Sequence, residues 1–152
     1  MRFFRFLALA FIGLLVLAGC GGSGNANPTA TSAQPAVPTL PPAVDLTGST
    51  QVTVKIIDSS SNPAGYWFDQ PNITIKVGTT VTWVNTSSAV HTITSGQAGV
   101  ADGKFDSGTQ NLLMPNNQGA ASTFSFTFTK AGAYPYFCQI HPGMIGLVTV
   151  TA

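Results

Sequence analysis

The chain has 152 residues, enough for one domain with extensions. Only 7% of its residues are charged and the formal net charge is +1, so it carries no basic footprint for nucleic acid. With so few charges, long-range steering of a partner should also be weak.

Residues 1–19 have the form of a signal peptide. Arg2 and Arg5 make a positive start, and Phe6 to Leu17 form an apolar run too short for a membrane helix. Leu17-Ala18-Gly19-Cys20 resembles the lipobox of bacterial lipoproteins. That resemblance implies cleavage before Cys20 and a lipid on its sulfur; the alternatives are an ordinary secreted chain or an uncleaved helix, with Cys20 a plain thiol. The protein is therefore expected outside the cell, anchored by lipid to the outer face of the cell membrane or in the periplasm. Loss of Arg2 and Arg5 would leave a net charge of about −1.

Residues 20–47 read as a lipidated cysteine followed by a disordered tether. The stretch holds Gly21-Gly22-Ser23-Gly24, then Pro28, Pro35, Pro38, Pro41 and Pro42, with no apolar period. The chain has two cysteines, and with Cys20 lipidated, Cys138 is left unpaired in an oxidising compartment. A metal bond would account for it.

The globular domain is expected over residues 48–152. Val52, Val54 and Ile56 alternate with Thr53 and Lys55 as in a strand with one buried face. Tyr66-Trp67-Phe68 is an apolar island expected to cover one end of the core. Ile73, Ile75 and Val77 alternate next, and Val81 to Val84 follows the Gly78-Thr79 turn. Val90 to Thr94 reads as a short strand carrying His91. Ser95 to Gln110 reads as a long irregular connection, and Leu112 to Pro115 as an apolar patch. Phe124, Phe126 and Phe128 mark the clearest strand. Tyr134 to Cys138 and Leu147 to Thr151 complete the set, with Pro135 requiring an edge or a bulge. About seven to eight short strands without a helical period predict an all-β sandwich.

Cys138, His141 and Met144 stand with two residues between each neighbouring pair. One tight loop can turn all three inward, and Pro142-Gly143 favours the turn. His91 is the other of the chain's two histidines and the obvious fourth ligand. Two imidazoles, a thiolate and a weak thioether make the blue-copper set; zinc would accept Cys and His but has little use for Met.

The stretches Trp83-Val84-Asn85, His91, Phe105 to Gly108, Phe124 to Phe128 and Gly132 to Cys138 resemble the cupredoxins, most closely the plastocyanin/amicyanin group. The short Cys138 to Met144 loop is similar to that of amicyanin. The resemblance implies a Greek-key sandwich with one type 1 copper bound by His91, Cys138, His141 and Met144, and with Asn85, Thr92 and Ile140 around the ligands. Thr92 stands where many relatives have Asn, and its hydroxyl should still support the loop. Ile140 stands where many have Pro, which leaves an N–H that could reach the Cys138 sulfur and raise the potential. The implied activity is one-electron transfer between redox partner proteins, with His141 at the surface inside a docking patch of Met114, Pro115, Pro142 and Gly143. A monomeric, non-enzymatic domain is expected, since oxidases and nitrite reductases of this kind need more copper sites and more histidines. Copper storage or delivery is the rival reading.

Overall fold

The computed structural model describes residues 39–108, 112–115 and 122–152, so the expected signal peptide, Cys20 and most of the tether lie outside the described residues. The described residues form two facing sheets of ten strands. Six make one sheet, in the order β1 (Val44–Asp45), β4 (Asn72–Lys76), β10 (Ile145–Thr151), β9 (Gly132–Phe137), β6 (Thr94–Gln97) and β7 (Val100–Asp106). The other four are β3 (Tyr66–Phe68), β2 (Gln51–Asp58), β5 (Thr80–Asn85) and β8 (Thr123–Thr127). This is the expected all-β sandwich, with the count raised by strands of two to four residues.

Period-two patterning builds the core. Val52, Val54 and Ile56 of β2, Ile73 and Ile75 of β4, and Val81 and Trp83 of β5 all point inward and are buried. Trp83 sits at the centre, stacked on Phe105 at 5.7 Å and edge-on to Tyr136 at 5.3 Å between ring centroids. Such a fully buried aromatic is worth about 3–5 kcal/mol against truncation to Ala. Val77 falls instead in the turn after β4 and is exposed. Gly78 (φ +91°) makes the turn that carries the chain from one sheet to the other.

Three expectations are corrected. The ordered domain begins before residue 48: β1 pairs in parallel with β4, Val44 opposite Ile73, and Asn72 Nδ2 donates to Pro41 O at 2.8 Å. Val90–Thr94 is not a strand. His91 makes only an isolated bridge with Leu113, and the ladder starts at Thr94, which pairs with Asp106 and Phe137. Of Ser95 to Gln110, residues 109 and 110 lie outside the described residues, and the described part is largely a hairpin rather than a loose connection. Its β6–β7 turn is Ala98-Gly99, both at positive φ (52° and 80°), a pair of signs that matches the right-handed twist of a hairpin.

Pro135 lies in β9 between β10 and β6, yet it is spared a lost bond. It pairs with Leu147 on one side, while the β6 pairing stops at Ser95 opposite Tyr136. Locally it is an edge position.

Candidate metal centre

Cys138 is the first residue after β9, whose last member, Phe137, is paired on both sides, with Thr94 and with Ile145. The backbone at the thiol is thus set by two ladders. The loop that follows is closed by Cys138 N–H donating to Met144 O and Met144 N–H donating to His141 O, each at 3.1 Å. Gly143 (φ +96°) makes the bend that an L side chain would resist. Among the described residues Cys138 is a free, buried thiol, and Met144 is wholly buried.

His91 comes from outside the strands. Its N–H donates to Leu113 O at 3.1 Å and its carbonyl accepts from Leu113 N–H at 3.0 Å. Asn85 braces the same place: its Nδ2 donates toward the carbonyls of Ala89 (2.7 Å), Leu113 (2.8 Å) and Met114 (3.0 Å). That leaves the imidazole of His91 fully buried.

The structure brings His91, Cys138 and His141 together. Cys138 Sγ lies 3.7 Å from Nδ1 of each histidine, and the two Nδ1 atoms are 3.2 Å apart. A circle through these three atoms has a radius of about 2 Å, close to metal–imidazole and metal–thiolate bond lengths. The donor set therefore fits one metal ion. Its softness suits copper, with Met144 in the same loop as the thioether.

Burial pulls the His91 pKa down to about 4, helped by the neighbouring His141 and opposed by Asp58. Burial also lowers that of His141. Both shifts favour the neutral imidazole, the form that binds a metal.

Thr92 ties the two halves of the site. Its N–H points at Cys138 Sγ (3.4 Å), and its hydroxyl accepts from Gln139 N–H (2.9 Å). Gln139 Nε2 in turn reaches Thr94 Oγ1 at 2.8 Å, and Thr94 Oγ1 donates to Asp106 at 3.0 Å. The sulfur takes its backbone hydrogen bond from Thr92, not from Ile140, whose side chain turns outward and is 44% exposed. The expected Ile140 bond is therefore replaced. Of the expected docking patch, Met114 is 40% exposed, Pro142 is exposed and Gly143 is half-buried. Pro115 is buried and offers no surface.

Two residues at the site carried no recognised signal. Tyr66 packs on both histidine rings, at 5.0 Å from His91 and 4.5 Å from His141 between centroids. Its aromatic cluster was legible, but not its position over the ligands. Ser87 is buried with its Oγ 2.9 Å from His91 Nε2. A serine in a polar turn segment reads as solvated, so no pattern could mark it.

Comparison with known proteins agrees with this geometry. Residues 55–151 match the family described as copper binding proteins, plastocyanin/azurin family. Amicyanin of Paracoccus denitrificans is 36% identical over 83 residues, 55% of this chain and 57% of that protein, so the chain spans little more than half of that relative. Plastocyanin of Scenedesmus fuscus is 35% identical over 101 residues, 65% of this chain and 98% of that protein. Among solved structures, a purple cupredoxin from Nitrosopumilus maritimus superposes with a TM-score of 0.51 at 34% identity, covering 64% of this chain and 98% of its own. With the His-Cys-His cluster and the adjoining methionine, these matches identify the cofactor as one type 1 copper. The chain belongs to the plastocyanin/azurin family of copper-binding proteins, the cupredoxins.

Proposed function

We propose that the chain is a membrane-tethered one-electron carrier, with copper held by His91, Cys138, His141 and Met144. The observation that carries this reading is the convergence of one sulfur and two nitrogens on a circle of about 2 Å radius. Bound copper would supply the one-electron couple between Cu(II) and Cu(I).

The chain's own residues do the rest. Cys138 and His91, both buried, shield the centre from water, and Thr92 N–H holds the sulfur in place. A site pinned by the β9–β10 loop and by the His91–Leu113 bridge resists rearrangement, which suits a carrier. His141 is less deeply buried than His91 and sits in the loop with exposed Pro142, the natural port for transfer. Ile140 and Met114 give that rim apolar contact area, so docking to redox partner proteins should be transient and weakly salt-dependent. Copper storage or delivery asks for exchangeable ligands, and a fully buried inner histidine and thiol favour a retained ion instead.

Cys20 would fix the chain to the outer face of the cell membrane or in the periplasm through its lipid. Treatment of the metal-free protein with Cu(II) should give an intense visible thiolate-to-copper band that is lost in Cys138→Ser. A colourless wild type would sink the carrier reading. Release of the protein into the soluble fraction by Cys20→Ala tests the anchor separately.

A further inference from the structure

We infer that Ser87 is a positioning residue that fixes the tautomer of His91. It accepts the Nε2 proton and so leaves Nδ1 as a bare lone pair facing Cys138. The inference rests on the copper-site reading for its purpose, but its geometry stands alone.

Proton accounting decides it. The side-chain amide of Asn85 has one atom facing the carbonyl oxygens of Ala89, Leu113 and Met114, all of them acceptors, at 2.7–3.0 Å. That atom must be the nitrogen, which makes the other atom the oxygen. This Oδ1 takes a hydrogen bond from Ser87 N–H at 3.0 Å and lies 2.8 Å from Ser87 Oγ. An amide oxygen has no proton to give, so the Ser87 hydroxyl must donate to it. The serine's remaining oxygen neighbour, Ala89 O at 3.4 Å, is also an acceptor. Neither oxygen can supply a proton, so turning the single hydroxyl proton toward any other acceptor would leave Oγ and Asn85 Oδ1 facing each other with lone pairs alone.

Ser87 Oγ also lies 2.9 Å from His91 Nε2. With its proton committed, it can only accept there, so Nε2 carries hydrogen. A neutral imidazole has one N–H, and Nδ1 is left unprotonated at 3.7 Å from Cys138 Sγ. The reverse arrangement would set two oxygen lone pairs against each other at 2.8 Å inside the protein. Asn85, Ser87 and His91 are all buried, which makes such a mismatch costly. The relay is anchored where it matters: Leu113 O, held by Asn85, is also the acceptor of the His91 N–H.

The test is the nitrogen-15 spectrum of the imidazoles in the metal-free full chain near neutral pH, read through two-bond proton–nitrogen couplings. Wild-type His91 should show a protonated Nε2 and a bare Nδ1. Ser87→Ala should give a mixture of tautomers, and Cu(II) affinity, from competition with a chelator, should fall about ten- to a hundredfold. Ser87→Thr, which keeps the hydroxyl, should restore both. A proton on Nδ1 in the wild type overturns the inference, even if Ser87→Ala fails to fold. So does a folded Ser87→Ala with the wild-type tautomer and undiminished copper affinity. A wild type with the proton on Nε2 that binds no copper would upset the proposed function and leave this assignment standing.

Discussion

The ring of Tyr66 lies over that of His141, with centroids 4.5 Å apart and planes inclined by 53°. The same ring meets His91 nearly edge-on at 75°. A strand of the four-stranded sheet thus clamps two imidazoles attached to different segments. Aromatic pairs of this kind contribute about 0.5–1.5 kcal/mol each beyond area burial. Tyr66→Ala should lower the stability of the metal-free protein by about 2 kcal/mol. It should also speed copper loss to a chelator, while Tyr66→Phe stays near wild type. Equal release rates in all three proteins would show the clamp to be idle.

Thr92→Val keeps the shape and the N–H directed at Cys138 Sγ but deletes the acceptor for Gln139 N–H. Leaving that amide without its partner should cost about 1–2 kcal/mol, read as a lower unfolding midpoint. The visible band of the copper form should persist, because the backbone N–H is the nearer donor to the sulfur, at 3.4 Å against 3.9 Å for the hydroxyl. Loss of the band in Thr92→Val would reassign the sulfur's support to the hydroxyl.

Acid should destabilise the metal-free protein through His91. Its pKa is about 4 in the fold against 6.5 for the ordinary group, chiefly because it is buried. Above pH 6.5 neither state binds the proton and the full stability is present. Between 6.5 and about 4 only the unfolded chain takes it up, so stability falls as pH falls and levels off below the folded value. The loss is on the order of 3 kcal/mol. Unfolding midpoints of wild type and His91→Gln across this range check it: the substituted protein should show a flatter profile.

Ala98 has φ +52°, the only non-glycine residue at positive φ among those described. A Cβ there costs about 1–2 kcal/mol against glycine. Ala98→Gly should therefore raise the denaturation midpoint, by an amount near 1 kcal/mol once the added freedom of the unfolded chain is subtracted. An unchanged or lower midpoint would mean that the turn is already relaxed.

Gly146 and Tyr136 face each other across β9 and β10, and a Cβ on Gly146 would come within 2.1 Å of the Tyr136 ring. Gly146→Ala should destabilise by about 1–3 kcal/mol through overpacking. The Tyr136 hydroxyl is buried without a partner among the described residues, so Tyr136→Phe should be neutral or slightly stabilising. A marked loss in Tyr136→Phe would reveal a partner for that hydroxyl.

Most of the fold could be read because β2, β4 and β5 alternate with period two and bury one face, while β8 alternates between half-buried phenylalanines and exposed polar residues. The β6–β7 hairpin could not. Thr94-Ser95-Gly96-Gln97 has no apolar alternation, and the hairpin is tied by polar bonds such as Ser95 Oγ to Phe105 N–H at 2.9 Å. Its turn also lacks the usual Asn-Gly signal, since Ala98 takes the first left-handed place. At the site, the loop from Cys138 to Met144 was visible because spacing alone brings its side chains together. The partners of those ligands were not, because Tyr66, Ser87 and Leu113 come from three separate stretches that only the folded sandwich unites.

Strand β1 runs parallel to β4, and β4 runs parallel to β10, which begins one residue after Met144. Strands β1 and β10 therefore both head away from the metal-bearing end, so the described chain enters beside that end and Ala152 lies toward the opposite one. A handle grafted after Ala152 would turn the His141 rim toward solution on an electrode or a resin. A handle placed just ahead of Thr39 would crowd that rim against the support, and voltammetry of the two immobilised forms should differ accordingly.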